Sequence, residues 1–160
     1  MLRALILGFG LLALVSCAKD QGQPSPALPV NELRADQYEF VTDPGELPRS
    51  VRSALASALG QTPLRMAAAG EPYNWSDVVD ESLPYHRIIV AAVGRRYVIV
   101  QFEEGGFSPS WRTMVFSRSL MRSEKLWSGA YSETFRDPGE FARAIRSGQL
   151  WDAQRTGSQP

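Results

Sequence analysis

The sequence predicts an α+β fold, an antiparallel β-meander sheet of four to five strands with an N-terminal and a C-terminal helix packed on it. Three observations carry this expectation. Residues 87–93 and 97–102 are adjacent runs of β-branched and aromatic residues with Gly94-Arg95 between them, the pattern of two strands joined by a tight turn. Val51, Leu55, Ala58 and Leu59 recur at helical spacing before Gly60, and a second helical stripe opens at Asp137-Pro138-Gly139-Glu140 and stops at Gly148. With 44% hydrophobic and 10% aromatic residues, the chain has the material for a buried core.

Each element follows in turn. Asp43-Pro44-Gly45-Glu46-Leu47-Pro48 marks the entry to the first helix, because proline lacks an N–H donor and fits only a first turn. Ala54 widens the apolar stripe, while Arg49, Arg52, Ser53 and Ser57 form a solvated opposite face. Residues 61–84 show no sustained period beyond a short strand candidate at Leu64-Arg65-Met66. A connection of that length inside a domain is often functional, which makes Tyr73 and Trp75 candidates for an aromatic binding surface.

In the central hairpin, glycine at the first loop position suits a type II′ turn with positive φ. That turn sets Val93 opposite Arg96, Ala91 opposite Val98, Ile89 opposite Val100, Arg87 opposite Phe102 and, beyond them, His86 opposite Glu103. Ile89, Ala91, Val93, Val98, Val100 and Phe102 then share one face; Ile88, Val90, Ala92, Tyr97, Ile99 and Gln101 share the other. Both faces are apolar, so the hairpin belongs in the middle of a sheet covered on both sides. Residues 111–116 and 125–131 complete the meander. In the last helix Asp137 is the N-cap, Pro138 the first helical residue and Glu140 the partner in a capping box. Phe141, Ala144 and Ile145 form its buried stripe, and Leu150 and Trp151 fold back onto the core. Asp-Pro-Gly-Glu occurs at 43 and at 137 with unrelated flanks, one capping solution used twice.

The folded domain is expected over 43–152, with a disordered tail over 153–160. Residues 17–42 read as a flexible tether, with Pro24, Pro26 and Pro29 close together. Tyr38, Phe40 and Val41 alternate with Gln37 and Glu39, so the end of this stretch has an edge strand as its alternative.

Ahead of the tether, Arg3 precedes an unbroken run of apolar or glycine residues over 4–15. As a helix that run is about 18 Å long, too short for a hydrocarbon core of about 30 Å. It ends in Leu14-Val15-Ser16-Cys17, and Cys17 is the only cysteine of the chain. The stretch resembles the signal peptide of a bacterial lipoprotein, with Leu14-Val15-Ser16-Cys17 as its lipobox. The resemblance implies removal of residues 1–16, lipid on the Cys17 sulfur and acylation of the new N-terminus. Ala18 in place of aspartate implies delivery to the outer membrane, facing the periplasm. At about 0.8 kcal/mol per buried CH₂, one acyl chain holds a protein marginally and two or three hold it stably.

Residues 17–160 carry 16 basic against 17 acidic side chains. A strong nucleic-acid binder carries a basic excess, so that class is excluded. One histidine, no cysteine cluster and no Asp-x-Asp-x-Asp run argue against a metal site, and no cofactor motif is present. Glu103-Glu104 are strand neighbours, which point to opposite faces and do not flank one bond. No catalytic residue is therefore assigned. His86 oriented by Glu103 leaves an envelope hydrolase as the alternative function. The loop over 104–111 places Phe107 and Trp111 where charge normally sits, with Gly105, Gly106 and Pro109 shaping it. The leading expectation is a lipid-anchored, non-catalytic module. It meets an envelope protein or cell-wall component through Phe107 and Trp111, joined by Tyr73 and Trp75.

Overall fold

A computed structural model describes residues 28–77, 79–107, 110–130, 134–135 and 137–152, without the side chains of Trp151 and Asp152. Cys17, the expected signal peptide and the expected tail lie outside the described residues. Elements run in the order α1 (Val30–Ala35), β1 (Glu39–Val41), a 3₁₀ turn (Pro44–Glu46), α2 (Arg49–Ala58), β2 (His86–Val93), β3 (Tyr97–Glu104), β4 (Ser110–Ser117), β5 (Lys125–Ala130), α3 (Pro138–Ser147) and α4 (Gln149–Asp152). The strands form one five-stranded antiparallel sheet in the order β1-β2-β3-β4-β5. This is the expected α+β meander, with the edge strand present.

Both faces of the sheet are covered. On one, Val51 and Leu55 of α2 pack with Leu47 against Ile88, Ala91, Val98, Val100, Phe102, Met114 and Phe116. On the other, Phe141, Ala144 and Ile145 of α3, Leu33 of α1 and Leu150 of α4 pack against Val90, Ala92, Ile99 and Val115. The two Asp-Pro-Gly-Glu sequences begin alike: Asp43 accepts from the Gly45 N–H at 2.7 Å and Asp137 from the Gly139 N–H at 2.8 Å. The first opens a single 3₁₀ turn that Pro48 ends; the second opens α3, which continues to Gly148 in the left-handed conformation. The side-chain cap thus reaches the second helical N–H, where the capping-box pattern placed it on the third.

Two expectations are corrected. The folded body begins well before residue 43, since α1 buries Leu33 completely and β1 pairs with β2 through Glu39↔Val93, Phe40↔Ala92 and Val41↔Ala91. The tether ending at residue 42 is therefore too long by more than ten residues. The hairpin register is also shifted by two residues, pairing Val93 with Val98 and Ala92 with Ile99. The Gly94 N–H bonds to the Tyr97 carbonyl at 2.8 Å, and Gly94 is not among the residues with positive φ. Glycine is needed there because Asp36 and the Tyr38 ring lie where its Cβ would stand.

Further along β2, Ile89 is an extra residue between the pairs Val90↔Gln101 and Ile88↔Phe102. A bulge of this kind moves the following residues to the other face. Ile88 consequently packs with α2 and Ile89 against the α3 side, the reverse of the unbulged expectation. At the sheet centre the fully buried Gln101 accepts the Phe135 N–H at 3.0 Å and so ties the approach of α3 to β3. Gln101→Leu is expected to lower stability by about 1–3 kcal/mol, the cost of leaving a buried donor unpaired. Denaturant unfolding and faster amide exchange at Phe135 check it.

Candidate functional site

The residues singled out from the sequence converge on one end of the sheet, where β2 begins, β3 ends and β4 begins. His86 pairs with Glu104, Arg87 with Glu103, and Glu103 with Trp111. Two polar clusters result, one per face. On the α2 face, His86 stands edge-on to Phe102 with ring centroids 5.7 Å apart. Its Nδ1 lies 3.1 Å from Gln61 Nε2, and its Nε2 lies 3.9 Å from Glu104, which in turn is ion-paired with Arg112 Nε at 3.0 Å. The Gln61 carbonyl oxygen accepts the Arg65 N–H at 2.7 Å, which orients the amide so that its nitrogen faces the ring. An amide nitrogen only donates, so Nδ1 is the acceptor and neutral His86 carries its proton on Nε2.

On the α3 face, Arg87 Nε donates to Glu103 Oε2 at 2.6 Å, and its guanidinium lies 4.3 Å from the centroid of the buried Tyr73 ring. The expected pairing of His86 with Glu103 is thereby corrected. The bulge and the shifted register put Glu103 on the opposite face, committed to Arg87, and give His86 the carboxylate of Glu104. Among the described residues no serine or cysteine hydrogen-bonds to His86, and no three or more His, Cys, Asp or Glu side chains converge as a metal site.

Around these clusters lies a rim of exposed aromatics. Phe107 is 91% exposed and Trp75 66%, with Tyr85 and Trp111 less so. Tyr73, expected among them, is instead buried beneath Arg87. The loops bearing the rim are fixed to each other. Asn74, which is buried, donates from its amide to the Asp80 and Leu83 carbonyls at 2.8 and 3.0 Å and accepts the Asp80 N–H at 2.8 Å. Its own carbonyl accepts from Gly106, and Gly105 donates to the Tyr85 carbonyl at 2.8 Å. A Cβ on Gly105 would overlap the Asn74 carbonyl, so only glycine allows this approach. Beside the rim a cleft of about 410 Å³ is lined by Pro72, Tyr73, Trp75, Leu83 and Arg87. A cleft of about 900 Å³ lies at the other end of the sheet between α2 and the β4–β5 loop.

Sequence reading missed Asn74, Gln61 and Arg112 as members of this end, and set Glu103 instead of Glu104 beside His86. Asn74 and Gln61 act through backbone and side-chain partners that only the folded chain brings near. The arrangement offers flat aromatic surface on fixed loops, beside buried charge that is already neutralised. Protein-family models, curated proteins and solved structures contain no match to the chain.

Gly105→Ala is expected to cost about 1–3 kcal/mol through overpacking against Asn74 and to free both loops, read as lost amide protection at Gly106 and Asp80. A second prediction concerns pH. Burial holds the His86 imidazole below its ordinary value of 6.5, outweighing the nearby Glu104. The unfolded chain therefore takes up the proton first, and stability falls as pH drops through 6.5 toward the folded value. Unfolding between about pH 7 and about pH 5 is expected to show this loss, and His86→Gln to flatten it.

Proposed function

We propose that the protein is a lipid-anchored envelope lipoprotein that acts as a non-catalytic binding module, meeting a protein or cell-wall partner through its aromatic end. The observation that carries this reading is the exposure of Trp75 and Phe107 on loops clamped by Asn74 and Gly105. Side chains of that size and rigidity supply contact area at low entropic cost, and such anchors dominate binding energy. Tyr85 and Trp111 extend the same rim. Lipid attachment at Cys17, and with it the outer membrane facing the periplasm, is supported by the Leu14-Val15-Ser16-Cys17 sequence after a short apolar run. The hydrolase alternative needs Glu103 beside His86, and these two side chains lie on opposite faces.

Mass spectrometry of the mature N-terminal peptide is expected to find it starting at a lipid-modified Cys17; an unmodified thiol or another starting residue removes the anchor. A photo-crosslinker in place of Tyr85, on the same rim, is expected to trap a defined envelope species in intact cells. Trp75→Ala with Phe107→Ala should weaken that capture about tenfold or more while leaving stability within about 0.5 kcal/mol. Unchanged capture by the double variant overturns the binding role of this end.

A further inference from the structure

The opposite end of the sheet carries a second exposed apolar feature, of different character. Leu120 and Met121 stand at the tip of the β4–β5 loop, 100% and 92% exposed. The loop is tied down and does not turn them inward. Ser50 Oγ donates to the Ser119 carbonyl, the buried Ser123 hydroxyl lies 2.9 Å from Ser50 Oγ, and the Glu124 N–H donates to Ser117 Oγ at 3.0 Å. Arg118 donates from its backbone to the Arg96 carbonyl and from its guanidinium to the Gly94 carbonyl, both at 2.6 Å, which joins the loop to the β2–β3 hairpin.

Positive charge surrounds the tip. Arg49, Arg122 and Lys125 line the same cleft as Leu120 and Met121, and Arg95 and Arg118 lie on and beside the hairpin. All five are exposed, and among the described residues none of them forms an ion pair. Of the acidic groups nearby, Glu32 is engaged by Arg96 and the Tyr97 hydroxyl and Asp36 by the Arg96 N–H, leaving Glu124 in the cleft. Two solvent-facing aliphatic side chains within a ring of exposed basic side chains match the interfacial zone of an anionic bilayer, with acyl carbon below and phosphate above.

The entry of the chain gives independent support. Glu32 within α1 and Asp36 at its C-cap both bond to the hairpin at this end. Leu28, the first described residue, is four residues before Glu32 and so within about 14 Å of it. Cys17 lies eleven residues earlier still, at most about 40 Å of extended chain. Acyl chains on Cys17 would keep the point where the chain enters the domain within about 40 Å of the lipid, close enough for this end to reach it.

We propose, resting on the lipid-anchored reading, that Leu120 and Met121 insert into an anionic phospholipid surface while Arg49, Arg95, Arg118, Arg122 and Lys125 meet lipid phosphates. The sheet then stands with the aromatic rim pointing away from the bilayer, about 26 Å of strand length from the inserted tip.

The test uses the acylated protein, whose Cys17 sulfur is blocked, carrying Met121→Cys labelled with an environment-sensitive fluorophore; Phe107→Cys labelled likewise is the far-end control. On phosphatidylcholine vesicles containing about 30% phosphatidylglycerol, the label at 121 is expected to brighten roughly threefold as it leaves water, and the label at 107 to stay unchanged. Adding Leu120→Asp with Arg122→Glu should abolish the response at an unaltered melting temperature. A silent label at 121, or an equal response at 107, overturns the proposal even where Cys17 is acylated. The anchor is separated by repeating the measurement on the Cys17→Ala chain. Brightening at 121 there, alongside an unmodified Cys17 in the parent, sinks the anchor and leaves the lipid-contacting tip standing.

Discussion

One inserted residue, Ile89, decides how the two halves of this sheet relate. Side chains alternate strictly along a strand, so a single extra residue exchanges the faces of everything beyond it. Without the bulge, Ile88 would face α3 and the Arg87 guanidinium would enter the layer occupied by α2. With it, Ile88 completes the apolar layer under α2, His86 reaches Glu104 and Gln61 on that face, and Arg87 meets Glu103 and Tyr73 on the other. Charge at this end is thus divided between two faces and neutralised on each. The rim is left to the aromatic side chains.

The strands and long helices were legible because each is a sustained run bracketed by turn residues, and because the Asp-Pro-Gly cap acts locally. Register was not legible, for a physical reason. Both faces of β2 and β3 are apolar, so a slip leaves the pattern intact, and the turn residue that set the expectation was misread. Gly94 resembles a turn glycine, yet its lack of a side chain serves Asp36 and Tyr38, which arrive from a part of the chain assigned to the tether. Elements α1 and β1 hold six and three residues, too few for a period to declare itself. Leu33 was the one apolar residue there whose burial marks α1.

The candidate site was legible in its exposed members and hidden in its supports. Phe107, Trp75 and Trp111 stand out as large apolar residues in glycine-rich or aperiodic stretches. Asn74, in the aperiodic stretch 61–84, does its work through three hydrogen bonds to a turn that returns six to nine residues later. Tyr73 moved the other way, from expected contact residue to buried platform for Arg87. Aromatic surface at one end of the sheet and aliphatic surface among basic side chains at the other give its two ends unlike character.

The short β1 has a consequence beyond architecture. It covers only the Ala91 to Val93 part of β2, and next to Arg87 its place is taken by Ala67, which accepts the Ile88 N–H at 3.0 Å and donates to the His86 carbonyl at 2.9 Å. Backbone groups that would otherwise recruit a foreign strand are occupied by two unrelated pieces of the same chain. What this flank still offers a foreign strand is the outer edge of a three-residue β1, a short template for fibrillar zippering.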